Sequence, residues 1–346
     1  MERGRRALED LVIASPGRSR LRSSAALSRI GLGSWVFGRT GWGAQDDRDS
    51  IAAILRAVEH GVNWIDTAAV YGQGHAEHIV GRALAQLPEG ERPLVFTKCG
   101  ILIDAAGDTY HHLSPGSIRA ECEASLQRLG VERLDLYQLH WPVSDTEVVE
   151  AAWQTLGELQ REGKVRWAGV SNFDLRLLRR CAAQRQIDSV QPALSLTHRD
   201  AAAEVVPWAA REGALAIVYS PLGSGLLTGR FSEQRLRELP PEDWRWRKAP
   251  FQAPQLQRTL ELVERLRPLA ADAGISLSEL AIAWTLVWPG VSGVIAGARD
   301  PAQLDEWIGA AELRLDESTL DAVAAALVET QAGSGPVRPP TAARPN

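Results

Sequence analysis

The sequence contains little cysteine and no long apolar run. Its 346 residues include three cysteines, Cys99, Cys122 and Cys181, which are too few for a disulfide framework and form no CxxC pair. No stretch approaches the ~18 apolar residues of a membrane helix, and the apolar run at residues 11–14 is too short for a signal peptide. These absences favour a cytoplasmic protein over a secreted disulfide-rich domain or a membrane protein.

An excess of positive charge is also absent. The formal net charge is -5, so there is no electrostatic reason to expect a nucleic acid or an anionic membrane as partner. The dinucleotide fingerprint is incomplete, because Val36 stands where a third glycine should follow Gly31 and Gly33. Only three of the 38 basic residues are lysines. One of them, Lys98, lies in an apolar run, where a lysine needs an explanation.

Short apolar runs alternate with longer amphipathic ones along the chain. Hydrophobic residues make up 45% and charged residues 23%, as in an ordinary folded domain. Eight runs have the length and boundaries of strands: 27–33, 62–67, 94–98, 134–140, 165–171, 189–195, 214–220 and 290–296. Helical patterns lie between them, at 48–60, 75–85, 115–129, 146–162, 175–183, 201–212 and 277–287.

This alternation predicts an α/β protein with a parallel sheet. Eight units in a chain of this length favour a closed (β/α)8 TIM barrel, with an open doubly wound sheet as the alternative. We expect a single barrel domain over residues 27–328, an N-terminal extension or hairpin over 1–26, and a disordered tail over 329–346. A long connection, from Gly223 to about Leu269, follows the seventh strand, and connections of this length usually carry function.

Four polar residues fall at or just after the ends of predicted strands, where TIM barrels place their active sites. They are Asp66, Tyr71, Lys98 and His140. A free phenol has a pKa near ~10, and an ammonium beside it favours the phenolate and lowers that pKa. The set therefore predicts a tyrosine proton donor. Taken singly, each residue has a structural alternative: a capping aspartate, a turn tyrosine, a lysine that reaches solvent, or a core histidine.

Five segments, in this order, resemble the aldo-keto reductases of bacterial type. They are residues 61–72 (GVNWIDTAAVYG), 134–142 (LDLYQLHWP), 163–173 (GKVRWAGVSNF), 219–229 (YSPLGSGLLTG) and 294–299 (VIAGAR). The match spans about residues 27–325. The resemblance implies a barrel that binds a nicotinamide dinucleotide without a Rossmann domain. It also implies an oxidoreductase that reduces an aldehyde or ketone to an alcohol by hydride transfer.

The resemblance also implies roles for individual residues. Tyr71 would be the proton donor, Lys98 and Asp66 would tune it, and His140 would orient the carbonyl. Tyr219 would stack on the nicotinamide. Residues implied to hold the rest of the cofactor are Trp35, Ser171, Asn172, Gln191, Ser220, Pro221, Leu222, Gly223, Gly225, Leu226, Gly297, Ala298, Arg299 and Gln303. Trp35 and Trp141 would line the substrate pocket.

The chain departs from the family pattern at the adenosine end. Arg299 and Gln303 match positions near the 2′-phosphate of NADPH, but Asp300 falls where many relatives have a cation or a neutral polar residue. Trp307 replaces an asparagine that often contacts adenine. We expect NADPH as the cofactor, with NADH possible, and no metal.

Two other functions are compatible with parts of the sequence. One is a catalytically weak nicotinamide-binding regulatory subunit of the channel-associated type, and the intact set of four residues argues against it. The other is a metal-dependent barrel hydrolase, for which only His140 and Asp66 qualify as ligands. The expected partner is a small-molecule carbonyl compound, and its identity stays open among simple aldehydes, quinones, keto sugars and other ketones. We expect a monomer or a small homo-oligomer.

Overall fold

A computed structural model describes residues 27–39, 43–241 and 243–340. Its eight parallel strands are β1 Ile30–Gly33, β2 Trp64–Asp66, β3 Leu94–Cys99, β4 Leu134–Leu139, β5 Val165–Ser171, β6 Ser189–Gln191, β7 Leu215–Tyr219 and β8 Val291–Gly297. Each strand pairs with the next, and β8 pairs with β1 to close the barrel. The predicted TIM barrel is confirmed and the open sheet is wrong. The predicted extension, residues 1–26, lies outside the described residues.

Helices cover the outside of the barrel. They are α1 Asp47–Glu59, α2 His75–Leu84, α3 Pro115–Leu129, α4 Thr146–Arg161, α5 Leu175–Gln184, α6 Asp200–Ala203, α7 Val205–Glu212, α8 Glu233–Arg237, α9 Gln255–Asp272, α10 Leu277–Leu286, α11 Pro301–Asp305 and α12 Glu317–Thr330. The Ser114 hydroxyl accepts the Ser117 N–H at the start of α3, and Gly130 ends that helix in the left-handed region. In the described ranges no single helix has the length and apolarity to cross a membrane, and α9 with α10, bent by 92°, passes that test only as a pair.

Two features of the helices differ from the prediction. The helix predicted over 201–212 breaks at Glu204, where the backbone has φ -130° and ψ -62°. The connection after β7 ends at Pro254 rather than near Leu269, because α9 begins at Gln255. Charged residues separate the apolar residues of α9, so its helical pattern is weak in the sequence. The structure shows which of its residues are buried, such as Leu262 and Leu266.

The barrel interior is filled by its own layer of side chains. This interior cluster consists of Leu27, Trp64, Phe96, Leu136, Trp167, Ile217 and Ile295. Trp64 is fully buried, and a Cβ atom at Gly31 would lie 2.3 Å from its indole ring. Glycine at 31 is therefore what lets the indole close the barrel interior. A second, larger cluster lies between the strands and the helices.

The tail packs on the barrel. Arg199, in the loop after β6, is buried, and its guanidinium donates to the carbonyls of Leu196, Ala332 (2.9 Å) and Gly335 (3.3 Å). Its backbone N–H donates to Ser334 O at 2.9 Å. The prediction of a disordered tail is therefore wrong for residues 329–340, because the buried cation takes two of its three side-chain acceptors from them. Residues 341–346 lie outside the described part of the chain.

We expect Arg199→Ala to lower the free energy of unfolding by about 2–4 kcal/mol, because several buried carbonyls lose a charged donor. Urea unfolding followed by tryptophan fluorescence measures the change. Arg338→Ala is the matched control, since its pairs with Glu317 and Asp321 lie at the surface and its loss should change stability little. Equal stability of Arg199→Ala and the native chain would show that this guanidinium does not hold the tail.

Candidate active site

The barrel brings the predicted polar residues to its carboxyl end. Six of them stand at or beside the last residue of six neighbouring strands: Asp66 on β2, Lys98 on β3, His140 after β4, Ser171 on β5, Gln191 on β6 and Tyr219 on β7. Carboxyl ends of parallel strands share one rim. The residues predicted from the sequence therefore lie together at one rim of the barrel.

Lys98 is the centre of this group. It is 1% exposed, and its Nζ donates to Asp66 Oδ1 at 2.6 Å, to Thr67 O at 2.9 Å and to Tyr71 OH at 3.4 Å. These three bonds use the three hydrogens of the ammonium. The alternative of a lysine that reaches solvent is wrong. A compact ammonium suits three acceptors at different angles better than a planar guanidinium does.

Tyr71 is held in a tight turn between β2 and α2. Its N–H donates to Ala68 O at 3.1 Å, and its carbonyl accepts the Ala76 N–H at 3.2 Å. The next residue, Gly72, has φ +60°, and a Cβ there would lie 2.3 Å from Gly38 O. Only glycine allows this close approach of the two backbones. The turn therefore fixes where the phenol points.

Burial controls the protonation of the tyrosine. It raises the pKa of Tyr71 well above its usual value, and the carboxylate of Asp66 raises it further. The predicted lowering of this pKa by Lys98 is wrong for this structure, because Lys98 is paired with Asp66 and the phenol is desolvated. At neutral pH Tyr71 is therefore a protonated phenol. Its oxygen accepts from Lys98, which leaves its own hydrogen for an acceptor in the cleft.

His140 stands beside the phenol as a neutral imidazole. The ring centroids of Tyr71 and His140 are 5.8 Å apart, with the planes at 77°. Burial lowers the pKa of His140 well below its usual value, and the charges of Lys98 and His111 act in the same direction. A neutral imidazole has one N–H donor and one acceptor nitrogen, so it can donate to a carbonyl oxygen without adding a charge.

Asn172 and Gln191 tie the strand ends together. Asn172 Nδ2 donates to His140 O at 3.0 Å, and its Oδ1 accepts from Tyr219 OH at 2.6 Å. Gln191 Nε2 donates to Asp66 Oδ2 at 2.8 Å. The last contact links Gln191, which lies at the cleft, to the ion pair of Asp66 and Lys98. Sequence reasoning missed this contact because Gln191 and Asp66 are 125 positions apart along the chain.

The decisive comparison is with a family profile. The profile described as "Aldo/keto reductase family" matches residues 29–328. The chain belongs to the aldo/keto reductase family. Members of this family act on small-molecule carbonyl substrates with nicotinamide cofactors, and this aldo/keto reductase is accordingly an NAD(P)H-dependent oxidoreductase.

Individual relatives agree with this assignment. This aldo/keto reductase is 37% identical over 306 residues to the NADH-specific methylglyoxal reductase of Escherichia coli (strain K12), over 84% of this chain and 92% of that protein. It is 36% identical over 279 residues to aldo-keto reductase YhdN of Bacillus subtilis (strain 168), over 80% and 83%. The solved structure of the glycerol dehydrogenase AKR11B4 from Gluconobacter oxydans matches with a TM-score of 0.80 and 33% identity, over 92% of this chain and 96% of that one.

The predicted pyrophosphate loop of this aldo/keto reductase follows β7. Its backbone is left-handed at Ser220 (φ 59°), Gly223 (55°), Ser224 (56°) and Gly225 (100°). The N–H groups of Gly223 and Gly225 donate within the loop, to Ser220 O and Leu222 O, both at 3.0 Å. These two N–H groups are therefore used by the turns themselves, so fewer backbone donors face outward than the sequence indicated. Pro221, in the same loop, has no N–H to offer.

The predicted adenosine end of this aldo/keto reductase lies after β8, beyond Gly297 and Ala298. The Arg299 N–H donates to Gln303 Oε1 at 2.7 Å, and the Asp300 carboxylate accepts the Gln303 N–H at 2.8 Å as the cap of α11. Trp307 is buried in the core. Asp300 therefore caps α11, and Trp307, which stands where relatives have an asparagine, packs in the core.

Proposed function

We propose that this aldo/keto reductase reduces an aldehyde or ketone to the alcohol with NADPH, and that Tyr71 is the proton donor. The observation that carries the proposal is the chain of contacts Asp66–Lys98–Tyr71 beside His140, in which the Asp66–Lys98 pair is buried. It offers one acidic hydrogen, one fixed positive charge and one neutral donor at the same rim. An acid of this kind is what reduction of a carbonyl group requires.

When bound, the nicotinamide supplies a hydride to the carbonyl carbon. Tyr71 donates its proton to the carbonyl oxygen as negative charge develops there. The ammonium of Lys98 stabilises the phenolate that remains, and Asp66 keeps the ammonium in place. His140 donates an N–H to the same oxygen and fixes its position. Each of these groups is already oriented by protein contacts, so little reorganisation accompanies the reaction.

The residues at the strand ends fit a nicotinamide. Ser171, Asn172 and Gln191 offer hydroxyl and amide groups of the kind that hold a carboxamide, and Tyr219 offers a ring for stacking, oriented by its bond to Asn172. We propose that these four residues bind the nicotinamide end, with Trp35 alongside. The cysteines are buried free thiols, which agrees with the cytoplasmic location we propose.

Charge near Arg299 favours NADPH over NADH. Arg299 is half-buried, and burial together with the charges of Arg245 and Arg235 lowers its pKa. Guanidinium groups gathered in this way attract a dianionic phosphate, and the carboxylates of Asp300 and Asp243, which face the same region, weaken that attraction. Asp243 is itself paired with Arg245 at 2.7 Å. The relative from Escherichia coli is named as NADH-specific. We propose that in this chain the attraction of the arginines for the 2′-phosphate outweighs the repulsion by the carboxylates, so that NADPH is the preferred cofactor.

Arg299→Ala is expected to raise the KM for NADPH by about 10- to 100-fold, the equivalent of one charge-assisted hydrogen bond, and to raise the KM for NADH less. Steady-state kinetics with both cofactors at one saturating carbonyl concentration measures the two values. An equal rise in both would contradict a role for Arg299 at the 2′-phosphate.

Nicotinamide fluorescence tests the function itself. We expect NADPH to bind and to be oxidised when a carbonyl compound is added, across a panel of aldehydes, ketones, sugars and quinones. Binding without oxidation of NADPH by any compound would favour the regulatory subunit of the channel-associated type. Absence of binding would overturn the proposal.

A further inference from the structure

One buried carboxylate joins three elements of the fold behind the proposed proton donor. Glu77 lies in the first turn of α2 and is fully buried. Its Oε1 accepts the hydrogen of the Thr97 hydroxyl at 2.6 Å, and its Oε2 accepts the Arg128 Nε–H at 2.6 Å. Thr97 belongs to β3 and Arg128 to α3, so this side chain ties α2 to both of them. The proposed reaction makes no direct use of it.

Glu77 and Thr97 are the sequence neighbours of residues that serve the site. Thr97 precedes Lys98 in β3, and because side chains alternate along a strand, Thr97 points towards the helices while Lys98 points towards the rim. Glu77 follows Ala76, whose N–H donates to Tyr71 O at 3.2 Å. The hydrogen bond between Thr97 and Glu77 therefore connects the strand that carries the ammonium to the helix that holds the phenol.

Two direct contacts between the turn at residues 69–74 and β3 are long. Lys98 Nζ lies 3.4 Å from Tyr71 OH, and the Ala69 N–H donates to Lys98 O at 3.5 Å. Hydrogen bonds of this length are weak. The bond from Thr97 to Glu77 is much shorter, and its acceptor is charged, which makes it the stronger connection. The distance between phenol and ammonium thus depends on a contact behind the site.

Arg128 holds the carboxylate from its other side. Besides its bond to Glu77, it donates from Nη2 to Ser125 Oγ at 3.2 Å, within α3. Its side chain also packs under Gly74, which ends the turn with φ 90°, and a Cβ there would lie 2.5 Å from Arg128 Cδ. The ion pair therefore keeps Glu77 in place for Thr97 and supports the turn from below.

We propose that Glu77 is a positioning residue for the reduction, and that through Thr97 it sets the phenol of Tyr71 against the ammonium of Lys98. The inference rests on the proposed function. A shift of the turn relative to β3 would leave every reacting group present but would separate the phenolate formed in the reaction from its neighbouring charge. A misplacement of about 1 Å can cost about 10²-fold in rate.

The first test removes the hydroxyl of Thr97. Thr97→Val keeps the branched shape and the pair of Glu77 with Arg128. We expect it to lower kcat about 5- to 50-fold, while the KM for the carbonyl compound and the dissociation constant for NADPH stay within about threefold. Thr97→Ser keeps a hydroxyl and should restore most of kcat. Thr155→Val is the matched control, because that buried hydroxyl donates to Ala151 O within α4, and kcat should be unchanged.

A double variant separates positioning from a general loss of structure. In Tyr71→Phe no hydroxyl is left to position, so adding Thr97→Val should change the residual rate by less than about twofold. A structural defect would lower that rate by the same factor as in the native chain. Single-turnover oxidation of NADPH measures both rates, and thermal melting shows that each variant is folded. Thr97→Ala, which removes the same hydroxyl, is the second variant if Thr97→Val does not fold.

The outcomes distinguish the positioning role from the proposed function. Near-native kcat in a folded variant without the Thr97 hydroxyl would overturn the positioning role and leave the reductase intact. Equal losses with and without the phenol of Tyr71 would do the same. Absence of turnover by the native chain with every carbonyl compound would overturn the function, and the positioning role with it.

Discussion

Replacement of Tyr71 by phenylalanine is expected to lower kcat for carbonyl reduction by about 10²- to 10⁴-fold. The change removes the hydroxyl group of Tyr71. Its oxygen accepts a hydrogen bond from Lys98, and its hydrogen is the one assigned to the carbonyl oxygen of the substrate. The ring itself stays in its turn, so the contact with His140 and the packing on Trp35 remain. Single-turnover oxidation of NADPH measures the loss without interference from product release.

Binding of NADPH is the control for this variant. Its dissociation constant, measured by nicotinamide fluorescence, should stay within about threefold of the native value, because the hydroxyl is assigned to the carbonyl oxygen rather than to the cofactor. Near-native turnover by Tyr71→Phe would show that the proton comes from another group, and His140 would then be the next residue to test.

Replacement of Lys98 by methionine is expected to damage both stability and activity. It leaves the Asp66 carboxylate buried with Gln191 as its remaining side-chain donor, and removing one partner of a buried pair costs about 3–5 kcal/mol. Activity should fall as well, because the phenolate formed in the reaction loses its neighbouring positive charge. Urea unfolding and steady-state kinetics measure the two effects separately.

Lys164→Met is the matched control, because that lysine lies at the surface and pairs with Glu123 and Glu162, and its loss should change neither property much. The double variant Asp66→Asn with Lys98→Met should regain stability without regaining activity, since the uncompensated charge is gone but the ammonium is still missing. A Lys98→Met protein with the same free energy of unfolding as the native chain would show that the buried Asp66 carboxylate does not depend on Lys98.

The sequence was informative where residue type and position along a strand carried the information. Asp66, Lys98 and His140 each stand at the end of an apolar run, and the rule that parallel strands share a rim brings them together. The position of Tyr71 could not be predicted from such a rule. It depends on a turn in which the backbones of Gly38 and Gly72, 34 positions apart in the sequence, are in close contact. Nothing local in the sequence indicates that contact.

Other features depend on the packed structure. The shift in the pKa of Tyr71 follows from how deeply the ring is buried and from the pairing of Lys98 with Asp66, and neither is written in a motif. The tail was mispredicted because its composition is that of a disordered segment. Its order comes from Arg199, which lies more than 130 positions away along the chain.

The packing of the tail has a practical consequence for work with shortened versions of this enzyme. The family match ends at residue 328, which makes that position an obvious place to cut. A chain cut there would lack Ala332, Ser334 and Gly335, and the guanidinium they surround would face water at the barrel wall. Fragments trimmed to the family boundary should therefore be less stable than the whole chain, because the tail contacts of Arg199 are lost.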